Sequence, residues 1–206
     1  MTGTIPQAWQ EVAQVAIMKL GGTAEEFQAL TESVDIGEPD YPFESVPNVA
    51  GGRIAKQSPQ EDGEVTLELY PTDLGATTTP GGLFQQFAGG NITGTQALTT
   101  DTSWISGSNR DRDRYAVAVL WTDETTSDVS AFRAVNGAGK VGLRFYAKEC
   151  RITSHKSEFT DGILKTTATF KFPAMNKSGT TKTHAWESTN AASTSALSAI
   201  TYSAGL

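Results

Sequence analysis

The sequence predicts a mainly β protein, and three observations indicate it. Residues 64–70 alternate strictly between apolar and polar side chains, as a strand with one buried face does. The pair Asp161-Gly162, a strong signal for a two-residue hairpin turn, separates two runs with apolar patterning. The composition adds 20 glycines with abundant Thr and Ser, which suits a protein with many turns better than a helical bundle.

Length and composition fit one domain with an arm at each end. The 206 residues divide into an N-terminal arm at 1–10, a domain at 11–188 and a C-terminal arm at 189–206. The C-terminal arm is almost uncharged and rich in Ser, Thr and Ala, so we expect it either to fray or to lie along another subunit. Its predicted anchors are three apolar residues: Leu197, Ile200 and Tyr202.

Composition also excludes several classes of protein. A single cysteine rules out an intrachain disulfide, and the absence of a basic segment before a long apolar run leads us to expect no signal peptide. The longest apolar run, residues 15–18, is too short to span a bilayer, so we expect no membrane partner. The net charge of −7 argues against a protein that grips nucleic acid by neutralising phosphates. It leaves open a surface past which nucleic acid moves without adhering.

The N-terminal part of the domain fits two patterns. Residues 11–20 match a helical stripe through Trp9, Val12, Ala16 and Leu20, and they also match a strand buried on both faces. The turn Gly21-Gly22 and a second apolar run at 27–36 favour a hairpin.

The segment 37–50 is predicted to be a long loop, because it contains three prolines. Tyr41 and Phe43 lie between these prolines. A loop of this length is typically functional or packs on a partner, and the alternative is a surface loop folded over its own core by the two aromatic side chains.

A scaffold of strands and a short helix follows. In the strand 64–70, Val65, Leu67 and Leu69 face one way, whereas Glu64 and Glu68 face the other with Thr66 and Tyr70. Thr79 before Pro80 is a helix start signal, so a short helix at 83–87 is expected to cover the apolar face. Residues 89–111 are predicted to be loop. Residues 115–122 are apolar on both faces and are expected to form a central, covered strand.

The hairpin at 141–172 is predicted with its register. Pairing outward from Asp161-Gly162 sets Phe159 opposite Leu164, Glu158 opposite Lys165 and His155 opposite Ala168. The apolar parity changes along the first strand, from odd positions up to Phe145 to even positions from Cys150. A bulge near Lys148-Glu149 would explain this change and let one long strand bend from one sheet to another.

No catalytic or metal site emerges from the sequence, and we expect no cofactor and no enzyme activity. Residues 135–141 lack the first glycine and the Ser or Thr that a phosphate-binding loop needs. The two histidines and the single cysteine have no metal-like spacing. A Cys150–His155 nucleophile pair would need a bulge, since residues five apart on a strand point to opposite faces.

The order of these elements resembles the major tail tube proteins of tailed viruses. The resemblance covers roughly residues 12–175 and is best in Gly51-Gly52-Arg53 through the strand 64–70 and Pro71. It is similar in pattern to members from archaeal viruses as well as from phages.

This resemblance implies a fold, a function and partners. The fold is a β-sandwich or barrel-like tail tube fold with one short helix, a long loop and extended terminal arms. Subunits of the family close into hexameric rings that stack into the hollow tail tube of the virion, through which viral DNA passes without specific binding. The implied partners are further copies of the chain and other tail proteins, namely the tape measure, the terminator and the baseplate or tip.

The resemblance also assigns roles to individual residues. Glu64 and Glu68 are expected to line the lumen, and Tyr41 and Phe43 are expected to make contacts between rings or subunits. The terminal arms would bridge to neighbouring rings.

Two other functions fit the residue pattern. One is a different β-rich virion or surface assembly protein, such as a head-decoration or lattice subunit. The other is a carbohydrate-binding β-sandwich module, for which Trp104 with Asp101 and Asn109 is the candidate site.

Overall fold

The computed structural model describes residues 14–19, 24–27, 30–57, 59–70, 113–122, 129–130, 134–135 and 142–189. This part of the chain is mainly β, as the sequence predicts. Its strands are β1 Gln14–Lys19, β2 Ala24–Phe27, β3 Leu30–Gly37, β4 Phe43–Pro47, β5 Arg53–Gln57, β6 Gly63–Tyr70, β7 Tyr115–Thr122, β8 Val129–Ser130, β9 Ala134–Val135, β10 Gly142–Thr160, β11 Ile163–Phe172 and β12 His184–Thr189. Within these ranges no helix is long and apolar enough to cross a membrane. The predicted helix at 83–87 and the predicted loop at 89–111 lie outside the described residues.

Eight of the strands form one curled, antiparallel sheet. Their order is β2-β1-β7-β10-β11-β6-β3, and β12 pairs with β10 beside this path. Two separate hairpins, β4–β5 and β8–β9, complete the described strands.

The 19-residue strand β10 belongs to both halves of the curled sheet. Its residues 142–150 pair with β7, and residues 142–147 also pair with β12, whereas residues 151–160 pair with β11. The change occurs at a β-bulge between Ala147 and Cys150, where Glu149 has a φ of 59°. The bulge predicted near Lys148-Glu149 is therefore confirmed. We call the half with β2, β1, β7, β12 and residues 142–150 sheet I, and the half with β3, β6, β11 and residues 151–160 sheet II.

The apolar core lies where the two sheets face each other. The ring of Tyr115 on sheet I meets Phe170 on sheet II edge-on at 6.4 Å, and Phe145 meets Phe172 at 6.1 Å. Each fully buried Val, Leu or Phe side chain contributes about 1.5–3 kcal/mol relative to exposure. The buried cluster comprises Val15, Ile17, Val65, Leu67, Leu69, Tyr115, Val117, Val119, Phe145, Ala147, Cys150, Ile152, Ala168, Phe170 and Phe172.

Two further strand predictions are confirmed. Val65, Leu67 and Leu69 of β6 are completely buried, and the alternate residues of that strand are not. Strand β7 lies between β1 and β10 and is buried on both faces, because Ala118 and Leu120 are as inaccessible as the core residue Val117.

The hairpin β10–β11 has the predicted register. Phe159 lies opposite Leu164, Glu158 opposite Lys165 and His155 opposite Ala168. Asp161 and Gly162 have φ values of 53° and 79°, the positive values that a type I′ turn requires at both central positions.

The N-terminal hairpin is present, but its second strand is shorter than predicted. Strand β2 pairs with β1 over Ala24–Phe27. The run predicted as one strand from 27 to 36 instead divides, and its later part, β3, pairs with β6 in sheet II. Val34 and Ile36 of β3 pack against the core from that sheet, so the apolar alternation is satisfied there.

The segment predicted as a loop at 37–50 contains a strand. Strand β4 pairs with β5, so that residues 43–57 form a two-stranded hairpin. Pro47 ends β4, and proline is tolerated there because such a short hairpin has outer edges that need no ladder hydrogen bond.

Candidate assembly surfaces

Sheet II presents an apolar face to the core and a polar face to the outside. The register of β3, β6, β11 and β10 puts Ser33, Asp35, Glu64, Thr66, Glu68, Lys165, Thr167, Thr169, Lys171, Arg151, Ser154, Lys156 and Glu158 on this outer face. We call these residues the polar face. The alternation of side chains in β6 and β11 produces the polar face, since every second residue of each strand packs into the core and the residues between them point outward.

Contacts between neighbouring strands hold the polar face together. The Glu64 carboxylate lies 3.5 Å from the Lys171 ammonium, and Glu68 lies 3.4 Å from Lys165. Ser33 donates a hydrogen bond of 2.8 Å to Glu68. Since these side chains are partly exposed, each ion pair adds at most about 1 kcal/mol, and their main effect is to neutralise one another locally.

The polar face is therefore balanced in charge. Among its residues, four are carboxylates and four are cationic, so its formal charge is zero. The chain as a whole carries −7. The excess of negative charge is carried by other parts of the molecule.

Both edges of sheet II lack a partner within the described part of the chain. Strand β3 pairs with β6 on one side and is the last strand of the sheet on the other. Residues 151–160 of β10 pair with β11 on one edge, and their pairing with β7 stops at Cys150. Unpaired strand edges present rows of N–H and C=O groups that readily accept another strand.

The hairpin β4–β5 and the residues just before it expose several large apolar side chains. Tyr41 is 69% exposed and Phe43 is 68% exposed, and three further large apolar residues are exposed: Val46, Val49 and Ile54. Val46 and Ile54 lie opposite each other on one face of the hairpin, and alternation places Phe43 on the other face. Exposed apolar side chains that are neighbours in this way are candidate contact sites.

Hydrogen bonds at both ends of this hairpin fix its shape. At the tip, the Asn48 side-chain oxygen accepts hydrogen bonds from the backbone N–H groups of Ala50 and Gly52, at 3.0 and 2.9 Å. At the base, the Glu61 N–H donates to the Asp40 carbonyl at 3.0 Å, and Trp186 on β12 donates its indole N–H to Glu38. A hairpin ordered before binding loses less entropy when it docks.

A second exposed apolar site lies at the opposite end of sheet II. At the tip of the β10–β11 hairpin, Phe159 is 76% exposed and Ile163 is 56% exposed. The pairing of β3 with β6 shows which end of sheet II carries the β4–β5 hairpin. Gly37, from which the chain continues to β4, lies opposite Glu64 at one end of β6. Leu30 lies opposite Tyr70 at the other end, the end of β6 nearest the β10–β11 turn.

The structure locates the residues that the sequence singled out. Glu64 and Glu68 both lie on the polar face, with Thr66 between them along β6. Phe43 begins the exposed hairpin, and the exposed Tyr41 lies two residues before it. Leu197, Ile200 and Tyr202 lie outside the described residues, as do Trp104, Asp101 and Asn109. Sequence reasoning did not find the exposed apolar tip at Phe159 and Ile163, although their position beside the Asp161-Gly162 turn, beyond the reach of the core, was a usable signal.

The Cys150–His155 pair does not have the electrostatics of a nucleophile and its base. A second irregularity, between Ile152 and Ser154, puts His155 on the same side of β10 as Ile152. Cys150, however, is completely buried, and burial raises the pKa of its thiol far above the usual range. Burial lowers the pKa of His155. Both shifts favour the neutral forms, whereas such a pair requires a thiolate.

Comparison with known proteins finds structural similarity to three solved structures at low sequence identity. No family model matches the chain, and no curated protein matches it. A chain in the cryo-EM structure of the PVC extracellular contractile injection system, sheath/tube terminator in the extended state, is similar with a TM-score of 0.46 and 10% identity, over 89% of this chain and 99% of that one. The anti-feeding prophage cap, a tube-terminating cap, is similar with a TM-score of 0.47 and 8% identity, over 91% of this chain and 96% of that one. The crystal structure of an Hcp protein is similar with a TM-score of 0.33 and 8% identity, over 84% of this chain and 98% of that one.

Proposed function

We propose that this chain is a structural subunit that joins copies of itself through the edges of sheet II into rings, and that the rings stack into a tube of the tail tube type. The observation that carries the proposal is a pair of edges on one curved sheet to which no strand of the described residues pairs: the edge of β3 on one side and the edge of β10 beyond Cys150 on the other.

Strand direction allows the two edges to meet. From β10 through β11 and β6 to β3, sheet II contains three antiparallel pairings. Strands β10 and β3 therefore run in opposite directions. When the β10 edge of one copy meets the β3 edge of the next, the new pair is antiparallel as well, and the alternation continues unbroken from copy to copy.

Repetition of this contact produces a closed wall. The contact is heterologous, since it joins two different surfaces, and such contacts form rings when the rotation per subunit closes. Closure removes every free edge of sheet II. Six subunits per ring is the number that the resemblance to tail tube proteins implies.

A second contact would join the rings. The apolar hairpin β4–β5 and the apolar tip with Phe159 lie at opposite ends of sheet II. Docking of the hairpin of one ring onto the tips of the next would bury both apolar sites. This contact propagates along the strands, whereas the edge contact propagates across them, so the two together generate a tube.

The polar face is proposed to line the lumen, and Glu64 and Glu68 belong to it through the inner strand β6. With a formal charge of zero, it neither attracts a passing polyanion strongly nor repels it strongly. A wall of this kind would let viral DNA move through without specific binding. The proposed location is accordingly the tail of a virion or a related particle, with tape measure, terminator and baseplate or tip proteins as further partners.

Negative-stain electron microscopy of the purified chain, over a series of concentrations and salt conditions, tests the proposal. We expect rings or hollow tubes with a uniform central hole. Closed shells, trimers or flat lattices would contradict it and favour a decoration or lattice protein. A glycan array provides the test for the carbohydrate-binding alternative, which predicts binding by the monomer.

A further inference from the structure

We infer that Asp35 of one copy and Arg151 of the next form an ion pair that sets the order and polarity of the ring. This inference rests on the proposed edge-to-edge contact and adds the residues that make it specific.

The inference begins with the charges of the polar face. Six of its eight charged residues have an oppositely charged neighbour within the subunit. Lys171 lies by Glu64, Lys165 by Glu68, and Lys156 lies 2.5 Å from Glu158. The two that remain without an ion-pair partner among the described residues are Asp35 and Arg151.

These two residues lie on opposite edges of sheet II and have opposite charges. Asp35 is on β3, and Arg151 is on the half of β10 that lies beyond β7. Both side chains are exposed. In a single copy they are separated by the width of β6 and β11, so neither reaches the other. An edge-to-edge contact brings the Arg151 edge of one copy against the Asp35 edge of its neighbour.

The register places the two charges at a compatible height along the sheet. One row of the polar face runs Gly37, Glu64, Lys171, Arg151, and the next row runs Asp35, Thr66, Thr169, Ser154. If the rows continued straight into the next copy, Arg151 would lie opposite Gly37 and diagonal to Asp35, at about 7–8 Å between backbone positions, within reach of an Arg side chain. A stagger of two residues, of the kind that closed sheets require, would put them directly opposite.

The charges also disfavour incorrect pairings. Two β3 edges brought together would oppose Asp35 to Asp35, and two β10 edges would oppose Arg151 to Arg151. Like charges placed opposite each other destabilise a strand pair, so only the head-to-tail contact is favoured.

Charge reversal tests the pair. The variants are Asp35→Arg, Arg151→Asp and the double variant that exchanges the charges. We expect each single variant to lose assembly at concentrations where the natural chain assembles, because both edges then carry the same sign. We expect the double variant to assemble.

Mixing the two single variants provides a sharper readout. Asp35→Arg has two basic edges and Arg151→Asp has two acidic edges, so each is expected to remain monomeric alone. An equimolar mixture is expected to assemble with the two chains alternating, and high salt should weaken this effect through screening. Sedimentation measures assembly, and differently tagged chains report the alternation.

Two controls keep the outcomes distinct. Far-UV circular dichroism and thermal denaturation verify that each variant is folded. The exposed pair Glu44–Lys56 on the hairpin, at 3.9 Å, provides a matched charge exchange away from the edges, which should leave ring formation unchanged. Single variants that assemble like the natural chain would overturn the Asp35–Arg151 pair and leave the ring proposal standing. A natural chain that never assembles, and shows no cross-link between Asp35→Cys and Arg151→Cys chains, would overturn both.

Discussion

At the scale of single residues, the ion pair between Arg144 and Glu187 combines a buried cation with a partly buried carboxylate. The guanidinium of Arg144 is completely buried, donates a hydrogen bond to the Glu187 carboxylate on β12, and lies 5.7 Å from the ring of Tyr146. The Glu187 side chain is 24% exposed. A buried cation is stabilised only while its partner is present, since its loss of hydration is large.

Substitution Glu187→Gln is expected to destabilise the fold by about 3 kcal/mol, because it removes the carboxylate charge of Glu187 from beside the buried guanidinium. The apolar double variant Arg144→Met with Glu187→Leu should recover most of this loss, since it removes both charges. Urea denaturation of the three proteins gives the free energies of unfolding.

The exposed pair Glu44–Lys56 supplies the control for this comparison. Both side chains are more than 60% exposed, so Glu44→Gln is expected to change stability by less than about 0.5 kcal/mol. Equal losses for Glu187→Gln and Glu44→Gln would show that burial does not strengthen the Arg144 pair.

At the scale of elements, the junction between β3, β6 and β11 depends on Gly63. A Cβ at this position would overlap the ring of Phe172 and would come within 2.9 Å of the Gly37 carbonyl oxygen. Strand pairing holds the backbone on both sides of this position, because Gly63 pairs with Phe172 and Gly37 pairs with Glu64. We expect Gly63→Ala to cost about 1–3 kcal/mol through overpacking.

Thermal denaturation measures this effect against a matched glycine. A Cβ at Gly37 would meet only the Glu64 carbonyl oxygen, at 3.9 Å, which is an ordinary contact. Gly37→Ala should therefore melt close to the natural protein, and Gly63→Ala well below it. If both variants melt at the same temperature, the close approach at Gly63 does not limit packing.

The elements that could be predicted from the sequence are those with a local signal. Asp161-Gly162 defines a turn type, and the turn type determines the register of β10 against β11. The parity change before Cys150 revealed the bulge, because an extra residue is the only way to keep both runs of apolar side chains inside. Strand β4 gave no such signal, since all its residues are at least partly exposed and no alternation arises.

Among the residues of the candidate surfaces, too, only those with a local sequence signal could be predicted. The exposure of Glu64 and Glu68 followed from alternation within β6, whereas the edge positions of Asp35 and Arg151 depend on the order of strands in sheet II. That order is set by contacts between residues far apart in the chain. The same dependence explains the difference at the N-terminal hairpin, because the apolar alternation at 27–36 specifies a buried face but not the neighbouring strand.

At the scale of the whole molecule, substitutions should be able to abolish the stacking contact between rings without abolishing the edge contact within a ring. The edge contact makes rings and the hairpin contact stacks them, so a loss of the hairpin contact should stop assembly at the ring. Phe43 and Ile54 are 68% and 59% exposed and support little of the core. Their replacement by Ser in a double variant is expected to change monomer stability by no more than about 0.5 kcal/mol per site.

Electron microscopy of Phe43→Ser with Ile54→Ser should therefore show single rings where the natural chain forms tubes. Phe159→Ser with Ile163→Ser should give the same result, because these residues form the apolar site at the opposite end of sheet II that receives the hairpin. Asp35→Arg, in contrast, should yield monomers, since it acts on the ring itself. Tubes of normal length from either apolar double variant would show that the two ends of sheet II do not form the stacking contact, and would leave the terminal arms as the elements that join the rings.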